Sequence, residues 1–219
     1  MTDLAAQPWP GEAGRAVDAG ASGAWADLGL DAEPTDAPPA ADRGDEATSW
    51  ALAARGGDPT AAAAFIRATQ AEVWRFCASL VDVASADDLT QETYLRALRA
   101  LPAFEGRASA RTWLFGIARR ACADHLRGTV RRRALLHRAA LAAASTPVTP
   151  EDPAGTVTAT DLLALLRPAQ REAFVLTQVL ELSYEEAAAC LGVPIGTIRS
   201  RVARARTELI EAVARARSV

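Results

Sequence analysis

The chain has 219 residues, a length that fits one or two small domains. Half of its residues are hydrophobic but only 5% are aromatic, and its alanine-rich composition favours helix. The net charge of −3 hides an asymmetry: residues 1–47 have two arginines and ten acids, for −8, whereas residues 48–219 have a net charge of +5. An acidic arm joined to a basic body indicates contact with nucleic acid.

Several classes of protein and site are excluded by what the sequence lacks. No run approaches the ~18 apolar residues of a membrane helix, and the acidic N-terminus is unlike a signal peptide. Cys77, Cys122 and Cys190 form no CxxC pair and, with only His125 and His137 beside them, predict neither a disulfide framework nor a zinc site. There is no phosphate-binding glycine loop and no GxSxG motif. We therefore expect no cofactor, no metal ion and no catalytic activity.

The first 47 residues are predicted to form a disordered arm. They contain scattered acids, prolines and glycines without a persistent helical or strand period. Trp9 and Trp25 are unusual in such a composition. One interpretation is an inert tail. The other is an arm that folds back on basic surfaces of the chain, with a tryptophan as its apolar anchor.

Residues 48–128 are predicted to form a first helical domain. Asp58 is a good N-cap, and Pro59 would occupy the first helical position. Apolar spacing predicts helices near 48–55, 59–81, 86–101 and 111–127, the third capped by Ser85, with a loop over 103–110. The third helix is expected to turn four residues inward: Leu89, Tyr94, Leu95 and Leu98.

A linker is expected over residues 129–157, because prolines 147, 150 and 153 exclude a continuous helix there. Its first part, residues 134–144, has helical character. A second helical domain is predicted over 158–217, with helices near 159–166, 168–180, 183–191 and 195–214. No segment alternates with period two, so the fold class is all-α: two small helical domains joined by a flexible linker.

The sharpest local signal lies in residues 182–202. Ser183 and Glu186 have the spacing of a capping box, Gly192 supplies a turn, and Pro194 stands at the start of the next helix. This is the layout of a DNA-binding helix-turn-helix. One side of its second helix is an apolar stripe through Ile198. The opposite side and its flanks hold the residues expected to contact bases or phosphates: Thr197, Arg199, Ser200, Arg201, Ala203, Arg204 and Arg206.

The alternative is that these arginines only solvate an amphipathic helix. The sequence argues against it, because residues 199–206 hold four arginines and no acid.

Two further segments have contrasting charge. Residues 107–138 hold nine arginines and one acid, with Trp113 and Phe115 interleaved, which suits single-stranded or melted nucleic acid. Trp113 also has the spacing of a core residue, and that interpretation stays open. Residues 87–98 begin with acids, which would repel DNA and suit a protein partner.

Three strings, in this order, resemble an extracytoplasmic-function (ECF) sigma factor, a minimal group of the sigma-70 family, most similar to actinobacterial members. Residues 87–95, DDLTQETYL, resemble region 2.2. Residues 111–120, RTWLFGIARR, and 124–127, DHLR, resemble regions 2.3 and 2.4. Residues 183–206, above all GTIRSRV, resemble region 4.2. The resemblance covers about residues 50–215 and leaves the arm outside.

The resemblance implies a non-catalytic initiation subunit that binds core RNA polymerase and directs promoter-specific transcription in the bacterial cytoplasm, on the nucleoid when in the holoenzyme. Contact with core RNA polymerase, through its beta-prime clamp helices, would involve Asp87, Asp88, Leu89, Gln91, Glu92, Tyr94 and Leu95. The beta subunit is a further partner that the resemblance implies. The −10 element would be melted and recognised by Arg107, Ser109, Arg111, Trp113, Arg119, Arg120, Asp124, His125 and Arg127. The −35 element would be recognised by the helix-turn-helix residues given above. An anti-sigma factor is a further partner that the resemblance admits.

Three other classes of function fit the sequence less well. A repressor or activator with the same helix-turn-helix would bind a palindromic duplex without polymerase. A pure interaction module does not explain the arginine-rich helix. A hydrolase built on Asp87 and Asp88 is disfavoured, since adjacent helical residues do not face one site.

Overall fold

All regular structure in the described part of the chain is helical. The structure is a computed structural model that describes residues 41–142 and 158–217. The predictions about Trp9, Trp25 and the proline-rich part of the linker lie outside these residues. Eight α-helices are described: α1 (Ala41–Ala54), α2 (Pro59–Leu80), α3 (Val83–Ala100), α4 (Ala110–Ala142), α5 (Ala159–Leu165), α6 (Pro168–Phe174), α7 (Tyr184–Leu191) and α8 (Ile195–Arg217). We call α1–α4 the N-terminal unit and α5–α8 the C-terminal unit.

Two helix starts follow from aspartate caps. The Asp58 carboxylate accepts a hydrogen bond from the Thr60 amide at 2.8 Å, and Pro59 opens α2, as predicted. The prediction that Ser85 caps α3 is wrong. Asp82 is the cap, because its carboxylate accepts the Ser85 amide at 2.7 Å and so starts the helix at Val83.

Two helices are longer than the sequence predicts. Helix α1 begins at Ala41, inside the range assigned to the arm, and buries Ala47, Ala51 and Ala54. Helix α4 continues to Ala142, so the prediction that it ends near Arg127 is wrong, and the helix enters the range assigned to the linker. The arginines, alanines and leucines after position 130 favour helix enough to offset the roughly 1 kcal/mol cost of Gly128.

The single helix predicted over 168–180 is divided. After α6 the backbone widens into a π-helical turn, Val175–Val179. The turn is closed by bonds from the Leu180 amide to the Val175 carbonyl and from the Leu182 amide to the Leu176 carbonyl, each 3.0 Å. Between them Glu181 has φ of +57°, a left-handed conformation that is rare for a residue with a side chain.

The two units share one hydrophobic core. Phe76 of α2 packs on Phe115 of α4 with ring centroids 5.3 Å apart, and the core continues through Leu162 of α5 and Phe174 of α6. Helix α4 also packs on α7, and α2 on α5. The units are therefore in direct contact, and this contact decides which candidate residues are accessible.

Candidate nucleic-acid interface

Helix α8 presents the basic face expected from its sequence. The predicted apolar stripe is buried in the core: Ile198, Val202, Ala205 and Leu209. The opposite side is exposed: Arg199, Ser200, Ala203 and Arg204. The face therefore combines two arginines with small side chains, which lets a helix approach the floor of a major groove.

The turn that precedes α8 holds this helix in place. The Ser183 hydroxyl accepts the Glu186 amide at 3.1 Å, and the Glu186 carboxylate accepts the Ser183 amide at 3.0 Å, so the predicted capping box is present. Gly192 ends α7 with φ of +66°, the left-handed region that glycine adopts without strain. The Arg199 guanidinium lies 6.0 Å from the centre of the Tyr184 ring, a cation–π contact between the two helices.

The flanking residues of α8 are half-buried: Thr197, Arg201 and Arg206. The Thr197 carbonyl accepts the Ser200 hydroxyl at 3.0 Å. The Arg206 guanidinium donates to the side-chain oxygen of Gln178 in the π-helical turn. Arg206 therefore joins α8 to its own unit in this arrangement, at the edge of the exposed basic face.

Helix α3 carries the candidate surface for a protein partner. Asp88, Gln91 and Leu95 lie on one exposed stripe, and Leu95 is 47% exposed. The prediction that Leu95 and Leu98 point inward is wrong. The inward positions are Ala86, Leu89, Thr93, Tyr94 and Ala97, whose helical spacing leaves Leu95 and Leu98 outside.

Two of the seven residues assigned to the polymerase surface lie in the core. Leu89 is buried, and the buried Tyr94 hydroxyl lies 2.7 Å from the Thr69 hydroxyl of α2. Burial raises the pKa of Tyr94, so the phenol stays neutral. Both side chains are covered in this arrangement, and Tyr94 joins α3 to α2.

The other two residues assigned to the polymerase surface, Asp87 and Glu92, bond to neighbouring side chains. The Asp87 carboxylate accepts the Trp74 indole N–H at 2.8 Å, and Glu92 pairs with Arg96 at 2.7 Å. Both acids are therefore anchored to the N-terminal unit, whereas no side-chain hydrogen bond or ion pair holds Asp88 within the described part of the chain.

Arg111 differs most from its sequence-based assignment to DNA. Its guanidinium is buried and forms two bonds to the Glu72 carboxylate, Nε–Oε2 at 2.8 Å and Nη2–Oε1 at 3.0 Å. Nη2 also donates to the Leu180 carbonyl of the C-terminal unit at 3.0 Å. Arg111 is accordingly shielded from a phosphate here, and it joins α2, α4 and the C-terminal unit.

Ser109 and Arg119 also contact the C-terminal unit. The Ser109 hydroxyl caps α4 by accepting the Thr112 amide at 3.2 Å, and it lies 3.3 Å from a Glu186 carboxylate oxygen. Arg119 pairs with Glu172 of α6 at 3.0 Å. The C-terminal unit thus covers part of the surface that the sequence assigns to the −10 element.

The other candidates in this segment are accessible to different degrees. Arg107 is 84% exposed beside Glu105, and Arg120 and Arg127 are exposed, whereas His125 is half-buried. Trp113 is half-buried, with its ring centre 4.9 Å from that of Phe104 and an interplanar angle of 41°. Both interpretations of Trp113 therefore keep some support, since one part of the ring packs on the core and another part is accessible.

Asp124 joins two arginines on this surface. Its carboxylate accepts bonds from Arg96 of α3 at 2.7 Å and from Arg127 at 2.5 Å. These bonds hold the pKa of Asp124 below its usual value.

The local sequence pattern did not identify the groups that bond to Arg111. Glu72 lies 39 positions before Arg111, and Leu180 lies 69 positions after it. No local spacing connects such residues, so only the packing of the units identifies them.

The described residues hold no group of three or more His, Cys, Asp or Glu side chains placed to bind a metal ion. None of their helices is long and apolar enough to cross a membrane.

Comparison with known proteins gives two family matches. Residues 65–132 match Sigma-70 region 2, and residues 157–209 match Sigma-70, region 4. A relative described as a probable RNA polymerase sigma-C factor of Mycobacterium bovis is 52% identical over 177 residues, covering 76% of this chain and 91% of the relative. The ECF RNA polymerase sigma factor EcfG of Rhodopseudomonas palustris is 37% identical over 127 residues, covering 57% of this chain and 68% of the relative.

Solved structures of similar fold agree with these matches. CnrH in complex with the cytosolic domain of CnrY has a TM-score of 0.60 at 25% identity, over 77% of this chain and 97% of that one. The sigma factor RpoE of Bartonella quintana, in complex with the anti-sigma factor NepR, has a TM-score of 0.51 at 29% identity, over 68% of this chain and 94% of that one. Two matched regions, the order of the motifs and the similarity to the mycobacterial relative lead to one conclusion: the chain belongs to the ECF family of RNA polymerase sigma factors.

Proposed function

We propose that this chain is a non-catalytic initiation subunit that binds core RNA polymerase through α3 and directs it to promoters with separate −35 and −10 elements. The observation that carries the proposal is the placement of two unlike surfaces on two units, an acidic and apolar stripe on α3 and an arginine face on α8. Its place of work would be the bacterial cytoplasm, on the nucleoid when in the holoenzyme.

Only some residues of the motif at 87–95 are exposed and available to contact polymerase. Asp88, Gln91 and Leu95 lie on the exposed stripe of α3, and Leu98 extends this stripe toward the C-terminal end of the helix. A carboxylate, an amide and exposed leucines suit a protein partner with basic and apolar groups, such as the beta-prime clamp helices. Contacts with the beta subunit would lie outside this stripe.

The −35 element would be recognised by α8. Arg199 and Arg204 are exposed on this face and would place a guanidinium fork on guanine O6 and N7. The small side chains of Ser200 and Ala203 would allow close approach. Thr197 and Arg201 flank this face and would contact phosphates. Arg206 would join them if its bond to Gln178 opened on DNA binding.

The −10 element requires a change of arrangement. Arg107, Arg120 and Arg127 are exposed and His125 is half-buried, but Ser109 and Arg119 contact the C-terminal unit. The Asp124 carboxylate accepts a bond from Arg127 on this surface. We propose that the units separate when polymerase is bound, which uncovers Ser109 and Arg119. These two residues and the accessible part of Trp113 would then contact melted bases. Arg111 would remain paired with Glu72 and position α4.

An anti-sigma factor is proposed as a further partner. One solved relative is a complex with an anti-sigma factor, and such a protein would compete for the α3 stripe or the α8 face. Competition with polymerase for the α3 stripe is the expected effect of such a partner.

The polymerase contact is tested by co-elution of the full chain with bacterial core RNA polymerase on a sizing column. The Asp88→Arg/Leu95→Arg variant should lose co-elution, because it places two cations on the proposed contact. Glu211→Arg, an exposed charge reversal on α8, is the matched control and should co-elute like the wild type. Co-elution of the Asp88→Arg/Leu95→Arg variant would contradict the proposal, and so would a wild type that does not co-elute with polymerase.

The −35 contact is tested on duplex selected by the holoenzyme. Arg204→Ala should weaken binding by about 1–3 kcal/mol and relax the base preference at one position. Arg215→Ala is the control, since it removes an exposed arginine on the same side of α8 three turns farther along. Equal losses in the two variants would indicate a general charge effect in place of base recognition.

A further inference from the structure

The C-terminal part of α4 is a basic helix that no described element covers. We call residues 127–138 the basic extension. It holds five arginines and no acid, and every described side chain from Val130 to Arg138 is exposed. Within the described part of the chain, Arg131, Arg132 and Arg133 take part in no ion pair.

The basic extension is apolar as well as basic. Val130 is 66% exposed and Leu136 is 63% exposed, with Leu135 beside them. At 100° per residue, Arg131 lies between Val130 and Leu135 around the helix, and Arg132 lies between Leu135 and Leu136. Exposed leucines interleaved with guanidinium groups that form no ion pair match a binding segment that supplies both carboxylates and apolar side chains.

The chain contains a segment with that composition. Residues 25–33, WADLGLDAE, hold three carboxylates and no base, alternating with Trp25, Leu28 and Leu30. Their charge is opposite to that of the basic extension, and they have the same alternation of apolar and charged side chains. The basic face of α8 matches residues 25–33 less well. Its large side chains are arginines, and no exposed leucine lies among them.

The length of the chain permits the contact. Thr48 of α1 accepts the Ala110 amide at 2.9 Å, so α1 lies beside the start of α4. From Ala110 to Val130 the helix rises by about 30 Å. The residues between Trp25 and Ala41 span up to roughly 50 Å when extended. The segment therefore reaches the basic extension without strain.

We infer that residues 25–33 bind the basic extension of the same chain, with Trp25 packed on its exposed apolar side chains and the carboxylates of Asp27, Asp31 and Glu33 on its arginines. The contact forms in the free protein and neutralises arginines that would otherwise attract polyanions nonspecifically.

The test is a paramagnetic relaxation measurement on the full chain. Ala24→Cys receives a spin label in a background with Cys190→Ala, since Cys77 and Cys122 are buried and Cys190 is the half-buried thiol. The amides of residues 127–138 should lose intensity, and those of residues 199–206 should not. Broadening on α8, broadening spread over the whole chain, or no broadening would each overturn the inference.

Charge variants test the specificity of the contact. Arg131→Glu/Arg132→Glu should abolish the broadening, and Arg131→Gln/Arg132→Gln, which preserves helix propensity, should reduce it. Arg201→Glu/Arg204→Glu is the matched control on α8 and should leave the broadening intact. Trp25→Ala should reduce it at low salt. Broadening that persists in the glutamate variant of the extension would contradict the inference.

Discussion

Arg111 and Glu72 form a buried two-bond ion pair that joins α4 to α2, with Nε–Oε2 at 2.8 Å and Nη2–Oε1 at 3.0 Å. The same guanidinium donates to the Leu180 carbonyl, so one side chain connects both units. An arginine in a segment that resembles a DNA-binding motif thus has a structural role in the free protein.

Glu72→Gln should destabilise the protein by about 3 kcal/mol, because it leaves a buried guanidinium without its counter-charge. Chemical denaturation would measure the free energy of unfolding. The double variant Glu72→Met/Arg111→Met should be less destabilised than the Glu72 variant, since well-packed apolar groups replace a buried ion pair at little cost. Additive losses in the double variant would show that the pair is not a coupled unit.

Glu181→Gly should stabilise the protein by about 0.5–1 kcal/mol. Glycine relieves the strain of the left-handed backbone, and this gain exceeds the cost of its higher conformational entropy in the unfolded chain. Glu181 is exposed, so the substitution removes no packing. Glu181→Ala is the control and should not stabilise, because alanine retains the strain. Thermal unfolding of the three proteins measures both effects.

Alanine at two glycines of the helix-turn-helix should have effects of opposite sign. Neither position has an atom within 4 Å of an added Cβ, so only the backbone decides the outcome. Gly192→Ala should cost about 1 kcal/mol, because Gly192 has φ of +66°. Gly196→Ala, inside α8, should stabilise by about 0.5–1 kcal/mol. A shift of the same sign in both variants would contradict this account of the turn.

Asp124 should contribute stability that depends on pH. Arg96 and Arg127 lower its pKa below the usual 3.8, so the folded carboxylate binds a proton less readily than the unfolded one. Its contribution is complete above the unfolded pKa and is lost as the pH falls through the folded pKa. The difference in unfolding free energy between wild type and Asp124→Asn should therefore narrow on acidification below pH 3.8. A difference that is constant across this range would contradict the assignment.

Local signals in the sequence predicted the helix-turn-helix well. The capping box of Ser183 and Glu186, the Gly192 turn and the buried side of α8 each depend on residues a few positions apart, and the structure contains all three. The all-α fold followed from composition and spacing in the same way.

Features set by tertiary packing could not be predicted. The spacing in α3 made Leu95 appear buried, but the orientation of α3 on α2 leaves it exposed. Arg111 and Arg119 are far from Glu72 and Glu172 in the chain, so their partners carry no local signal. The continuation of α4 past Gly128 reflects the helix propensity of the following residues, which a single glycine does not overcome.

The proposed function requires that one chain direct polymerase to two separate DNA elements. The most direct measurement is in vitro transcription of a random-sequence promoter library by core RNA polymerase with and without the full chain, followed by sequencing of the transcripts and their templates. We expect transcripts that depend on the chain, from templates enriched in two elements at a fixed spacing upstream of the transcription start. The contradicting result is a transcript yield no higher than that of core polymerase alone, together with a single palindrome among the library templates that the chain binds without polymerase.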